Sequence, residues 1–184
     1  MTYRDLVQSL GAATESKVMA AHAAFLKSTL TEPEFISLVA SIIAKANGRA
    51  VALADLSLAA TLTLQLRTPV PTLGLLSPIG DSDRLSKGLG TILATDRLDT
   101  AMQLGRLANS EPRTQAARSY SEGMAKSEQV EGWTRGLSGS ACQLCRWWAR
   151  DGRVWPKDHP LKTHKGCSCT ANPVTTERIR SVQR

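Results

Sequence analysis

The stretch that decides the fold covers residues 31–66 and reads TEPEFISLVASIIAKANGRAVALADLSLAATLTLQL. Thr31 and Glu34 have the spacing of a capping box, in which each side chain hydrogen-bonds to the backbone N–H of the other residue. Pro33 lies in the first turn, where a missing N–H leaves no hydrogen bond unmade. Apolar residues then cover much of the circumference, which predicts a long helix at the centre of a bundle or against a partner.

The segments on either side predict further helices, and the fold class is therefore mainly α, with about four helices in an N-terminal body. Apolar residues recur at intervals of three, four and seven over residues 3–30, as on one face of a helix. Prolines and glycines exclude regular helix over residues 68–83, and an apolar loop of this length is usually functional or bound by a partner. A third helix is expected over about residues 82–108 and a fourth over about residues 111–127, with the break at Pro112.

The last 54 residues differ in composition from the rest of the chain. Residues 1–130 carry 13 Lys and Arg against 12 Asp and Glu, whereas residues 131–184 carry ten against four. All four cysteines, all four tryptophans and two of the three histidines lie in the second segment. We therefore predict a neutral helical body over residues 1–130 and a basic Cys/His/Trp module over residues 131–184. Such a concentration of positive charge favours contact with nucleic acid or with an acidic partner.

Five cysteine and histidine side chains in this module have the spacing of a structural zinc site. Cys142 and Cys145, three positions apart, can hold one ion between them. A second pair about twenty residues later, drawn from His164, Cys167 and Cys169, would complete a tetrahedron. His164 with Cys167 is the simplest second pair, and Cys169 is the alternative. The predicted cofactor is one structural Zn²⁺.

Disulfides and free buried thiols are the alternatives at this site. Disulfides need an oxidising compartment, and the first residues show no apolar signal segment. Free thiols would not need paired spacing. A catalytic zinc is disfavoured, because thiolate-rich sites are usually closed to water. His159 falls outside the spacing and is interpreted as a surface histidine.

The segment between the two ligand pairs predicts a small α+β module that the metal stabilises. Asp151-Gly152 between apolar residues is a hairpin signal. A module of about fifty residues has too little core of its own, so the metal and packed tryptophans would supply stability. The tryptophans could instead stack on nucleic-acid bases. The candidate contacts to phosphate or to an acidic partner are the basic residues Arg146, Arg150, Arg153, Lys157, Lys162 and Lys165.

Motifs of common enzyme classes are absent from the sequence. It contains no phosphate-binding Walker motif, no His-Glu-x-x-His and no Gly-x-Ser-x-Gly. Asp158-His159-Pro160 beside the cysteines resembles the start of an HNH nuclease, but the Asn and second His of that family have no convincing match. We therefore predict no enzymatic activity. The longest uncharged runs are far shorter than the roughly 20 residues of a membrane-spanning helix, so no membrane span is expected.

About residues 112–175 resemble the C-terminal signature of the Mu F-like minor head proteins of tailed bacteriophages. The matching order is Val130-Glu-Gly-Trp133, Ala141-Cys-x-x-Cys145, Asp151-Gly152, His164-Lys-Gly-Cys167-Ser-Cys169 and Pro173. The chain departs from the family pattern where Lys162-Thr163 and Lys165 replace the usual prolines around the histidine. The departures leave the candidate ligands intact and change the local turn.

The resemblance implies a low-copy virion protein at the portal vertex inside the head, and in the host cytoplasm during assembly. Its implied partners are the portal protein, the major capsid protein and packaged DNA, which it would contact without sequence preference. Its implied role is in head assembly, DNA packaging or genome ejection. Two alternatives follow from the residues: a zinc-stabilised non-specific nucleic-acid-binding protein and, third, an HNH-like nuclease.

Overall fold

Long helices form the N-terminal body of the protein. The computed structural model describes residues 1–95, 99–164 and 166–175. The helices are α1 Tyr3–Leu26, α2 Glu32–Leu66, α3 Asp81–Ala94 and α4 Thr100–Lys126. The predicted capping box begins α2, where the Thr31 backbone N–H donates to a Glu34 carboxylate oxygen at 2.8 Å.

A small sheet and a short helix follow the body. The elements are β1 Val130–Gly136, α5 Gln143–Ala149, a 3₁₀ turn Arg150–Gly152, β2 Trp155–Pro156 and β3 Thr170–Thr175. The sheet order is β2-β1-β3, and both pairings are antiparallel. The structure is therefore mainly helical with a small C-terminal α+β part, as the sequence predicts.

Helix α2 is the central element, because it packs on α1, α3 and α4. Phe35, Val39 and Ile43 recur every fourth residue along α2 and are fully buried. One core cluster joins them to Val18 of α1, Leu85 and Leu89 of α3, and Leu104 and Ala108 of α4.

Helix α2 is also the one helix of the described residues that is long and apolar enough to cross a membrane. The lengths of the uncharged runs, on which the expectation of no span rests, do not reveal this, because α2 meets the criterion of length and composition despite its few charged residues. The buried core helix of a soluble protein passes the same test, so the finding is weak evidence for a membrane. In this structure α2 buries much of its apolar surface against other helices.

A second core cluster joins the two predicted domains. Leu58 and Leu62 of α2 and Met124 of α4 pack there with Trp133 of β1 and with Leu161. All five side chains are at least nine-tenths buried. The division at residue 130 therefore marks a change of composition and architecture, but the two parts share one apolar core.

The helix boundaries after α2 differ from those expected. The third helix was expected to reach about residue 108, but α3 ends at Ala94, and residues 96–98 lie outside the described part of the chain. Pro112, the expected break, lies inside α4. An interior proline costs about 3 kcal/mol because it removes a hydrogen bond and crowds the preceding turn. The packing of α4 on α1 and α2, which buries Ala108, Pro112 and Ala116, favours the continuous helix against this cost.

The Asp151-Gly152 hairpin is also not found. Residues 143–149 form helix α5, and the chain then reverses through left-handed conformations at Arg150, Asp151 and Gly152, with φ of 48°, 52° and 86°. Strand β2 pairs with β1, which precedes α5, rather than with a strand directly before the turn. The Asp-Gly turn is real, but a helix lies on its N-terminal side, because short apolar runs do not distinguish strand from helix.

The segment between α2 and α3 is a long irregular loop, as predicted. Its middle is held by the buried Asp55 carboxylate, which accepts backbone hydrogen bonds from Leu73, Gly74 and Leu75 at 2.8–3.1 Å. Two apolar side chains nevertheless point to solvent, since Leu76 is 86% exposed and Ile79 is fully exposed. The loop is thus anchored by its backbone and presents apolar side chains outward.

Candidate metal centre

The five predicted ligands meet at the end of the sheet. Cys142 is the N-cap of α5, and Cys145 lies in its first turn. The irregular segment between β2 and β3 supplies His164, Cys167 and Cys169. His164 Nε2 lies 3.2 Å from the Cys142 sulfur and 3.1 Å from the Cys145 sulfur, and the sulfurs of Cys145 and Cys167 are 3.6 Å apart.

These separations are close to those that a tetrahedral zinc site imposes on its ligand atoms. Zn–S bonds of about 2.3 Å and Zn–N bonds of about 2.0 Å place ligand atoms about 3.5–3.8 Å apart. Two groups of three donors have all their ligand atoms within 4.8 Å of one another: Cys142, Cys145 and His164, and Cys145, Cys167 and Cys169. Cys145 belongs to both groups. The structure therefore contains a Cys/His cluster that could hold a metal ion centred beside Cys145.

The thiols of the cluster differ in their tendency to ionise. The Cys145 backbone N–H lowers the pKa of the Cys142 thiol, and the nearby His164 acts in the same direction. Burial, reinforced by the Cys167 thiol, raises the pKa of Cys145 far above its usual value. Burial opposes ionisation of Cys169, but other contacts, led by the Ser138 backbone N–H, lower its pKa. Cys145 thus needs a positive neighbour to become a thiolate ligand.

The disulfide alternative does not describe this structure. All four cysteines are free thiols. The Cys145 and Cys167 sulfurs are 3.6 Å apart, whereas a disulfide bond measures about 2.05 Å. The cluster is therefore an arrangement of separate donors.

Two arginines hydrogen-bond to backbone oxygens around the candidate ligands. The sequence analysis did not assign either of them to the site. Arg113 of α4 donates to the backbone oxygens of Gly166 and Cys167 at 3.0 and 3.1 Å. Arg135 of β1 donates to the Lys162 backbone oxygen and lies 4.0 Å from the Cys145 sulfur. The partners of Arg113 lie over 50 positions away, so no local signal reveals them. Alternation along β1 does place Arg135 on the same inward face as the buried Trp133.

The predicted basic contacts have different surroundings. Arg146, Arg150, Arg153 and Lys162 are exposed. Lys157 is half-buried and donates to the Ser127 backbone oxygen at 3.0 Å, so its ammonium group has a partner within the chain. Lys165 lies outside the described residues.

The aromatic residues of the module are mostly packed, and His159 is among them. Its ring stacks on Trp155 at 4.4 Å with 12° between the planes, and its backbone oxygen accepts from Trp133 Nε1 at 2.9 Å. The histidine interpreted as a surface residue is thus half-buried, because two tryptophans offer its ring an apolar stacking site. Trp133 is buried, whereas Trp147 is 62% exposed. The core role predicted for tryptophans thus holds for Trp133 and not for Trp147.

Comparison with known proteins does not add a family or a relative. No family model, no curated protein and no solved structure matches the chain.

Proposed function

We propose that this chain is a zinc-stabilised minor head protein of a tailed bacteriophage, bound at the portal vertex inside the head. One observation carries the proposal: the candidate ligands at the motif positions of the Mu F-like signature form two groups of three donors at metal-ligand spacing, Cys142, Cys145 and His164, and Cys145, Cys167 and Cys169, which share Cys145. The arrangement of a helical body with a compact metal-bearing end suits a structural component of a larger assembly.

The metal in this proposal is a single structural zinc ion. Cys142, Cys145, His164 and Cys167 would hold it, and thiolate and imidazole ligands suit Zn²⁺. When bound, zinc joins α5 to the segment that leads into β3. The C-terminal part is small, and Trp133 is the largest of its fully buried side chains. A metal crosslink would therefore contribute much of its stability.

Elemental analysis tests the metal. Freshly purified, reduced protein is expected to carry about one zinc per chain. Cys145→Ser should release it, because Cys145 belongs to both donor groups. Cys169→Ser, the matched variant, should keep it if Cys167 is the fourth ligand. Absence of stoichiometric metal from the unaltered protein contradicts the proposal.

The exposed apolar loop supports a protein partner for the helical body. Leu76 and Ile79 of the loop, and Leu64 near the end of α2, are each at least 80% exposed, which is costly for leucine and isoleucine side chains in water. A portal protein or the major capsid protein could cover this surface. The proposed location is the virion, with assembly in the host cytoplasm.

Co-purification with a dodecameric phage portal protein tests the partner. The unaltered chain should remain bound to portal, whereas Leu76→Ser combined with Ile79→Ser should dissociate. Leu26→Ser is the matched control, because Leu26 is 70% exposed but lies on α1. Mass spectrometry of whole virions should then detect the chain at low copy number. If the double variant binds portal as well as the control does, the portal contact does not lie on the loop.

Contact with packaged DNA is the second part of the proposal, and non-specific nucleic-acid binding alone is the alternative function. The net charge of +6 over residues 131–184 supports both. The nuclease alternative has less support, because His159 stacks on Trp155 and is not among the described donors that cluster. Affinity should fall with salt by a slope of about 0.9 per phosphate contact on duplex DNA and about 0.7 on single-stranded DNA.

A further inference from the structure

A second concave site lies beside the metal centre and contains none of its ligands. It is a cavity of about 280 Å³ between β1, the end of α5 and the segment around β2. We call it the tryptophan pocket and define it by the lining residues Trp148, Trp155, His159, Arg135, Arg150 and Lys162.

The charge of the tryptophan pocket is positive. Arg135, Arg150 and Lys162 contribute cationic side chains, and no aspartate or glutamate is among the lining residues of the described chain. A cavity with cationic walls and no compensating carboxylate attracts an anion. The ligand class is therefore negatively charged.

Two buried hydrogen-bond donors of this pocket have no partner within the described part of the chain. They are Arg135 Nε and Trp155 Nε1. Arg135 is only 6% exposed, so water cannot easily replace a partner for its Nε–H. Both groups can donate and cannot accept. Because both atoms are almost wholly covered by the protein, a ligand oxygen, which is as large as a water molecule, would meet them only if these side chains shift.

The walls of the pocket are flat and aromatic. The Arg135 guanidinium lies 5.1 Å from the centre of the Trp148 ring, and the Trp155 and His159 rings stack at 4.4 Å. The Arg153 guanidinium also lies 4.5 Å from the centre of the Trp155 ring, so Trp155 already has a neighbour on each face and Trp148 is left as the aromatic surface for a ligand. A nucleotide has the properties of such a ligand, because its base is planar and carries hydrogen-bond acceptors and its phosphate is negatively charged.

We propose that the tryptophan pocket binds one unpaired nucleotide. The base would lie in the cavity against Trp148, and the phosphate would meet the exposed Arg150 and Lys162. Bases in a duplex are paired and stacked, so the site selects single-stranded over double-stranded nucleic acid. The inference does not depend on a place in the phage head, since it rests on the pocket alone.

Binding of a labelled twelve-residue oligothymidylate, followed by fluorescence anisotropy, tests this proposal. Trp148→Leu removes a pocket wall, and Trp147→Leu removes its exposed neighbour on the same helix as a matched control. Arg150→Gln and Arg146→Gln form a second pair, since both arginines are exposed and only Arg150 lines the pocket. Zinc content and helical circular dichroism of each variant show that it is folded.

The expected result is a selective loss. Trp148→Leu should weaken binding about 5- to 150-fold, the range found when one base–aromatic contact is removed, and Trp147→Leu should change it less than about twofold. Arg150→Gln should weaken binding more than Arg146→Gln does. Binding to a twelve-base-pair duplex should respond equally to the two arginine variants.

Thymidine monophosphate distinguishes a site for free nucleotides from a site for a nucleotide within a strand. Competition by the free nucleotide, lost in Trp148→Leu, supports a site for single nucleotides. Binding of the oligomer alone, with the same pattern among the variants, supports a site that needs the strand. No binding of either probe by the unaltered protein, or equal losses within each matched pair, overturns the proposal. Portal binding is measured separately, so failure here leaves that test unaffected.

Discussion

Cys142 and Cys145 lie on one helical turn, but their thiols ionise with different ease. Cys142 is exposed at the N-cap of α5, and a backbone N–H lowers its pKa. Cys145 is fully buried, and burial raises its pKa. A thiolate is both the nucleophile and the metal ligand. The metal-free centre should therefore begin to bind an ion at Cys142 and release a proton when Cys145 joins.

Alkylation of the metal-free protein checks this difference. Cys142 should react with iodoacetamide fastest, and its rate should rise with pH at lower pH values than that of an ordinary thiol. Cys145 should react only on unfolding, which makes it the internal control. Peptide mass spectrometry at several pH values resolves the sites. Zinc should protect both residues, and affinity for zinc should increase as pH rises, because the bound thiols must lose their protons. Comparable rates at the two cysteines would contradict this account.

At the scale of elements, the packing of α1 against α4 requires a glycine. A Cβ atom at Gly11 would lie 2.8 Å from the Asn109 backbone oxygen and 3.2 Å from Arg113 Cδ. Arg113 in turn donates to Asn109 and to the backbone beside Cys167. Close approach of these two helices thus positions an arginine that supports the metal-binding segment.

Gly11→Ala should therefore destabilise the protein by about 1–3 kcal/mol, the usual cost of overpacking. It should also speed zinc loss to a chelator, since Arg113 would shift. Gly88→Ala is the matched control, because a Cβ there meets nothing within 4 Å in helix α3. Alanine in place of that exposed glycine should stabilise the helix by up to about 1 kcal/mol. Thermal unfolding measures both changes in stability. An increase in the stability of Gly11→Ala would contradict this account, because α1 and α4 would then accept the added Cβ atom without loss of stability.

At the scale of the molecule, the metal centre and the helical body depend on each other through a shared core. Trp133 and Leu161 of the C-terminal part pack on Leu58 and Leu62 of α2. The other core cluster, around Phe35, lies in the helices alone. Residues 1–130 expressed without the rest should accordingly aggregate or bind hydrophobic dyes. Without Trp133 and Leu161, the apolar surface around Leu58 and Leu62 would be open to water.

Removal of the proposed zinc ion should loosen one end of the molecule only. A chelator should increase amide exchange over residues 130–175 and over the second half of α2, which contributes Leu58 and Leu62 to the shared core. Exchange around Phe35 and Ile43 should stay slow, because their cluster contains no residue of the C-terminal part. Hydrogen exchange with mass spectrometry gives this pattern directly. Uniform loss of protection would mean that the protein unfolds as one unit.

Several features of this protein follow from its sequence alone. The capping box at Thr31 and Glu34 and the apolar run after it determine where α2 begins and that it is central, because local hydrogen bonds and periodicity act within a few residues. Paired spacing at Cys142 and Cys145 likewise identifies the candidate ligands. These signals are local, so no knowledge of the fold is needed to see them.

Other features were decided only by tertiary structure. Helix α4 continues through Pro112 because packing on α1 and α2 offsets a local cost that the sequence correctly signals. The His159 ring is half-buried because Trp155, brought beside it by the pairing of β2 with β1, offers a stacking partner. Arg113 reaches the metal-binding segment across 54 positions of sequence. Each outcome depends on the free energy of burial and hydrogen bonding between segments distant in the chain, and local sequence patterns do not contain those contacts.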